Sequence, residues 1–249
     1  MPADWLVARF RDARAAGWAT TRSGGASRGP WESMNLGDHV GDEPGAVARN
    51  RARFAEAVDA RPAWLRQVHG NRVVRLGAAS SGHGAIEADA SVTTEPGVAC
   101  AVLVADCLPA LFAAPEGRGV AAAHAGWRGL AGGVLEATVA ALCDAADCAP
   151  PDLDAWLGPC IGRDAFEIGG DVRVALGGDP AAIRSAPRDG KWLADLPALA
   201  ASRLRAAGVG HVDASGALCT VADPSRFFSF RRDGVTGRMA AAVRLPDRR

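Results

Sequence analysis

Tyrosine is absent from this 249-residue chain, and lysine is nearly so, Lys191 being the only one. The first absence removes phenol acids, phenolate nucleophiles and tyrosyl radicals. The second leaves P-loop and Schiff-base chemistry almost no residue to run on. Net charge is missing too: 28 Lys+Arg balance 28 Asp+Glu, so no global basic field exists to hold a nucleic acid or an anionic membrane. No apolar run approaches spanning length, the longest uncharged one being 98–105. Residues 1–10 carry Asp4 and Arg9 without an apolar export core, so a cytoplasmic protein is expected. The six cysteines include no C-x-x-C pair, which argues against zinc ribbons and thioredoxin-type sites and for reduced thiols.

A hydrophobic content of 49% with 22% charged residues suits a folded core, and no linker-like tract divides the chain, so one domain over residues 1–249 is expected. Strand-length apolar runs recur at 5–10, 73–76, 98–104, 110–114, 120–123, 155–157 and 239–243. Most are continuous rather than alternating, as in strands covered on both faces. Helical periodicity places Val47, Phe54, Ala55 and Val58 on one face after Pro44, and Val134, Leu135, Val139 and Leu142 on another after Gly132-Gly133. A third helix starts with Asp195 as N-cap and Pro197 in its first turn, carries Leu196, Leu199 and Leu204, and stops at Gly208. The expected fold class is a layered α/β (α+β) sandwich of mixed sheets covered by helices.

Three segments place a metal-capable or nucleophilic residue at the end of an apolar run beside small, turn-forming residues: Gln67-Val68-His69-Gly70, Ala105-Asp106-Cys107-Leu108-Pro109 and His124-Ala125-Gly126-Trp127-Arg128-Gly129. Strand ends are where side chains escape burial and converge on ligands. Two imidazoles and a thiolate favour Zn²⁺ and leave a fourth position open. The separations, 38 residues from His69 to Cys107 and 17 from Cys107 to His124, match no finger or ribbon. Spacing therefore leaves two readings, a fold-assembled metal site or ordinary packed groups.

These strings, with Thr21-Arg22-Ser23-Gly24-Gly25-Ala26-Ser27, Asn35-Leu36-Gly37, Ala88-Asp89-Ala90, Leu157-Gly158-Pro159, Phe166-Glu167-Ile168-Gly169 and Phe228-Ser229-Phe230-Arg231-Arg232-Asp233, span nearly the whole chain. It resembles the bacterial YfiH family, also called the multicopper polyphenol oxidase or laccase-domain family. The resemblance implies a sandwich fold like that of the cytotoxic-necrotizing-factor toxins and a metal site of His69, Cys107 and His124, usually zinc. It also implies purine nucleoside phosphorylase activity on adenosine, inosine, guanosine or S-methyl-5′-thioadenosine, with adenosine deaminase activity. Phe230 departs from the pattern, standing where many relatives carry Tyr.

Phosphorolysis needs an anion clamp, a polarised leaving purine and an oriented ribose. Arg128 is the candidate for phosphate, with backbone N–H groups of Gly129 and the residues after it adding the helix-terminus field. The 21–27 loop with Arg22 is a second cradle for phosphate or ribose, or a plain turn. Asn35 either reads a base edge or caps a turn. Deamination needs a carboxylate to shuttle a proton, for which Glu167 and Asp106 are candidates, although Asp106 is expected to face away from Cys107. Cys160 is a possible pocket residue, and His39, His83 and His211 are expected on the surface without a role. The expected partners are a purine nucleoside and inorganic phosphate, with neither nucleic acid nor membrane, in a monomer or homodimer.

Two other functions use the same residues. Cys107 with His124 or His69 suits a Cys-His hydrolase or amidase acting on cell-wall precursors. Copper in the same position would give polyphenol oxidation, but five histidines without a His-x-His pair are too few for a trinuclear centre.

Overall fold

The computed structural model describes residues 2–11, 14–77, 86–177 and 180–246. Two sheets form its centre. The first runs in the order β1 (Leu6–Ala8), β2 (Ala16–Ala19), β16 (Met239–Arg244), β8 (Val98–Val104), β3 (Arg61–Ala63). The second runs β15 (His211–Asp213), β11 (Asp154–Leu157), β9 (Leu108–Ala113), β10 (Val120–Ala125), β7 (Ala90–Thr93), β5 (Val73–Leu76). Most ladders are antiparallel, but β3·β8, β11·β15 and β5·β7 are parallel, so both sheets are mixed. A small sheet, β12 (Glu167–Ile168), β14 (Trp192–Ala194), β13 (Ile183–Ser185), and the pair β4 (Leu65–Arg66), β6 (Ile86–Glu87) complete the strands.

The continuous apolar runs are explained by how each strand divides its side chains. In β8, Val98, Cys100 and Val102 face a core shared with Val120 and Ala122 of β10. The intervening Ala99, Ala101 and Leu103 pack under Phe54 and Val58 of helix α1 (Pro44–Val58). The opposite face of β10, through Ala121, Ala123 and Ala125, meets Leu135, Val139 and Leu142 of α3 (Val134–Ala146) and Leu199 and Leu204 of α5 (Leu196–Ala206). With side chains alternating at period two, both faces of each central strand are buried, so apolar residues dominate both registers. The layers are helix, sheet, sheet, helix, as expected. The remaining helices, α2 (Trp127–Ala131), α4 (Gly170–Leu176) and α6 (Phe230–Asp233), are short.

The three expected helices form with their expected buried faces, and Asp195 caps α5 by accepting from the Ala198 N–H at 2.9 Å. One difference concerns α1: Asn50 lies on its buried face and is fully enclosed. Its side chain accepts from the Ala26 N–H and donates to Ser27 Oγ and to the Ser33 and Asn35 carbonyls, locking the 26–35 loop onto the helix. The short strands β2, β3, β7 and β15 carry no distinctive apolar run and form only because neighbouring strands offer them ladders.

Candidate metal centre

The pairing of β7, β9 and β10 assembles the centre. His124 is the penultimate residue of β10 and pairs with Pro109, while Ala125 pairs with Leu108, so Cys107, one residue before β9, lies beside His124. β7 flanks β10 on its other side with Ala90 opposite Ala123, which places Asp89 against His124. The 67–72 loop joins β4 to β5, and β5 pairs with β7, bringing His69 to the same sheet end. Gln67 pins this loop, its side-chain amide donating to Leu103 O at 2.8 Å and its oxygen accepting from Leu103 N–H at 2.7 Å.

Among the described residues, His69, Cys107 and His124 are the group able to hold an ion, their ligand atoms lying within 4.8 Å of one another. Cys107 Sγ is 3.8 Å from His69 Nε2, and the two imidazoles meet edge-on with ring centroids 4.8 Å apart. A tetrahedral ion with Zn–S about 2.3 Å and Zn–N about 2.0–2.1 Å holds sulfur and nitrogen about 3.5 Å apart. Two imidazoles and a thiol are a donor set that suits zinc once the three ligand atoms draw together, and a tetrahedral ion held by them would have a fourth position for another ligand. His124 is buried, Cys107 half-buried and His69 exposed, so the cluster opens outward.

Asp89 holds this arrangement. It is fully buried, and its carboxylate accepts the Val68, His69 and Gly70 N–H groups at 3.1, 2.9 and 2.7 Å. The same carboxylate lies 2.8 Å from His124 Nδ1, which leaves Nε2 of that ring to face the cluster. One carboxylate thus orients one imidazole and shapes the loop that presents the other, with His69 in the left-handed region at φ 61°. Burial raises the Asp89 pKa, but the hydrogen bonds from His124 and Gly70 outweigh it and hold the carboxyl below its usual range. Burial likewise pushes the Cys107 thiol up, yet the His124 charge and hydrogen bonds from both imidazoles bring it down to about 6. For His124 burial acts downward, and the Cys107 and Asp89 charges overcome it to raise the ring to about 9. Each of the two groups thus favours the charged form of the other.

Gly126 follows β10, and its lack of a side chain is required: a Cβ there would sit 2.9 Å from Cys107 Sγ and 3.0 Å from His69 Cδ2. The cluster lines a cavity of about 1090 Å³. Trp64, Leu65, Val68 and Phe230 supply apolar wall, and Arg51, Arg66, Arg128 and Arg238 supply positive charge. Arg51 pairs with Asp38 at 3.2 Å and lies over the Trp64 ring at 4.6 Å, while Arg66 pairs with Glu87.

Of the expected substrate residues, Arg128 lines the cavity with its guanidinium over the Trp127 ring at 4.4 Å. Gly129 is buried away from it and serves close packing, since a Cβ there would meet Gly70 O at 2.9 Å. Arg22 lies outside the lining: its guanidinium donates to the Glu32 and Pro224 carbonyls, each at 2.9 Å, and stacks on Phe228. Asn35 is fully buried, donating to Gly37 O and Asp42 and accepting from the Gly37 and Arg238 N–H groups, so no base edge reaches it. Asp106 turns away, at φ 93°, and its two oxygens accept from Thr220 Oγ1 and from the Arg231 N–H, both at 2.6 Å. It anchors a loop between strands rather than occupying a strand position. Glu167, on β12, pairs with Arg188 and is absent from the lining. Cys160 is fully buried beside Cys219. His39, expected to have no role, reaches the lining in contact with Asp38, His211 lies on β15, and His83 lies outside the described residues.

Sequence reasoning assigned no role to Asp89, Gly126, Trp64 or Arg238. An acid enclosed by alanines at 88–90 was the available signal for the first.

A layered α/β fold with a His-Cys-His cluster at its sheet ends defines the class, and residues 16–246 match the family described as multi-copper polyphenol oxidoreductase laccase; the chain belongs to that family. It is 50% identical over 248 residues, 98% of this chain and 99% of the relative, to the protein named purine nucleoside phosphorylase PA4543 of Pseudomonas aeruginosa. It is 46% identical to the purine nucleoside phosphorylase YfiH of Escherichia coli, over 92% of this chain and 93% of that one. Among solved structures, Neisseria meningitidis protein NMB0706 superposes with a TM-score of 0.90 at 47% identity, covering 98% of this chain and 100% of that one. YlmD from Geobacillus stearothermophilus gives 0.89 at 36% identity, covering 94% and 93%. No helix of the described residues is long and apolar enough to cross a membrane.

Proposed function

We propose that this chain is a cytoplasmic, single-domain, zinc-dependent purine nucleoside phosphorylase that also deaminates adenosine, using the cavity above the His69–Cys107–His124 cluster. The observation that carries the reading is this convergence of two imidazoles and a thiol in the lining of a cavity that also presents cationic arginine. The high identity to proteins named purine nucleoside phosphorylase supports it. Zinc, when bound by the three residues, supplies a Lewis acid at the open corner that polarises the substrate atom placed there. Arg128 holds the phosphate, its planar fork matching two oxygens. Trp64, Leu65 and Phe230 offer apolar wall to the purine. Asp89 keeps the His124 ring in one tautomer through the 2.8 Å contact, so the ligand set does not reorganise as charge develops on the substrate.

With Asp106 and Glu167 committed elsewhere, proton transfer falls to the groups in the lining, of which His39 and Asp38 are titratable and lie outside the ligand set. The test is to incubate metal-replete protein with inosine or adenosine and phosphate. Free base and ribose 1-phosphate are expected, and their absence from protein carrying stoichiometric zinc refutes the reading.

A Cys-His hydrolase acting on cell-wall precursors is the second reading, favoured by the lowered Cys107 thiol beside the raised His124. Stoichiometric zinc in protein as isolated counts against it. Copper-dependent phenol oxidation, the activity in the family's description, is disfavoured because the cluster offers only two imidazoles.

A further inference from the structure

We infer that Arg238 is the second arm of the anion clamp, gripping the phosphate together with Arg128; this rests on the phosphorolysis reading above. Four arginines line the cavity, and two of them, Arg51 and Arg66, are neutralised by Asp38 and Glu87. Neither Arg128 nor Arg238 has a carboxylate partner among the described residues. Arg238 immediately precedes β16, whose first residue Met239 pairs with Val104 at the end of β8. The chain then runs through Ala105 to Cys107, so the guanidinium approaches the cluster from the first sheet, whereas Arg128 reaches it from the second.

Arg238 is built in rather than draped over the surface. Its backbone N–H donates to Asn35 Oδ1 at 2.8 Å and its carbonyl accepts from Leu36 N–H at 3.0 Å. Gly37 leaves room for its stem, since a Cβ at that glycine would come within 2.8 Å of Arg238 Cγ. Nη1 donates to the Thr236 and Gly237 carbonyls at 3.1 and 3.0 Å, which fixes the plane of the guanidinium. Nε and Nη2 make no hydrogen bond among the described residues. Burial pushes the guanidinium below its usual pKa, and the charges of Cys107 and Asp106 draw it back.

A half-buried guanidinium with no carboxylate in direct contact keeps donors that an anion can complete. Its free N–H edge suits two oxygens of one phosphate, and Arg128 in the same lining supplies a second charge. Arg22 is no substitute, because it lies outside the cavity lining.

The test measures equilibrium binding of inorganic phosphate by calorimetry to zinc-loaded and to chelated protein, for wild type and for Arg238→Gln, Arg238→Lys and Arg128→Gln. Phosphorolysis kinetics and thermal midpoints are recorded in parallel. Arg238→Gln is expected to weaken phosphate about 10- to 100-fold, to raise KM for phosphate far more than KM for the nucleoside, and to be partly rescued by lysine. Wild-type phosphate affinity in Arg238→Gln overturns the inference. So does an equal loss of phosphate and nucleoside affinity with a depressed thermal midpoint, which marks a merely structural role, and so does wild type that binds no phosphate. If wild type binds phosphate through Arg238 yet cleaves no nucleoside, the phosphorolysis reading falls while the clamp stands.

Discussion

Replacing Gly126 by alanine probes the metal centre with one methyl group. The backbone there, φ −63° and ψ 162°, is open to any residue, so strain of the main chain is not introduced. The new Cβ would stand 2.9 Å from Cys107 Sγ and 3.0 Å from His69 Cδ2, against an ordinary contact of about 3.5–4.0 Å. One or both ligands must therefore move by about 0.6 Å, and a metal site tolerates only about 0.2 Å in its bond lengths. Overpacking of this kind costs about 1–3 kcal/mol. At about 1.4 kcal/mol per factor of ten, that is roughly a 5- to 150-fold loss of zinc affinity. The assay is competition for zinc against a chromophoric chelator, with circular dichroism to show that the fold persists. Wild-type zinc affinity in a folded Gly126→Ala protein would refute the proposed convergence of sulfur and imidazole at this point.

Further outcomes follow from the same geometry. Asp89→Asn is expected to lower zinc affinity about 10- to 100-fold and to destabilise the fold by about 3 kcal/mol, read by chelator competition and urea unfolding; an unchanged zinc affinity contradicts the orienting role of its contacts with the 68–70 amides and His124. In metal-free protein the Cys107 thiol, lowered to about 6, is mostly thiolate at pH 7 and loses reactivity only as pH falls below that value. Mapped iodoacetamide labelling at pH 7 is therefore expected at Cys107 before Cys100, whose thiol burial drives up to about 12, and added zinc is expected to protect Cys107. Asp195→Ala removes the α5 cap and is expected to cost about 1 kcal/mol in urea unfolding, with zinc affinity unchanged because the helix lies outside the cavity.

Reach from the sequence differed with the range of the interaction. Helices α1, α3 and α5 were legible because their apolar spacing, prolines and cap residues act within a few positions. The central strands were legible because burial on two faces leaves a continuous apolar string. β2, β3, β7 and β15 were not, since their pairing is imposed by neighbours distant in sequence. For the site, residue type singled out His69, Cys107 and His124, because only a few side chains bind zinc or attack carbonyls. Arg22, Asn35, Asp106 and Glu167 carried plausible chemistry too, yet each spends its hydrogen-bonding capacity on structure. Donor and acceptor partners of that kind come from segments far along the chain and leave no local pattern.

What the chain alone decided was the inventory: no tyrosine, one lysine, no net charge, and two imidazoles and a thiol set beside small residues where apolar runs end. Composition and short-range pattern are properties of the polymer before it folds. What the tertiary structure decided was which of those groups meet. The β7, β9 and β10 ladders bring residues 69, 89, 107 and 124 to one sheet end, and β16 carries Arg238 into the same cavity lining as Arg128. Sheet pairing is long-range, and hydrogen bonds spent or left unspent at a site exist only once the partners have arrived.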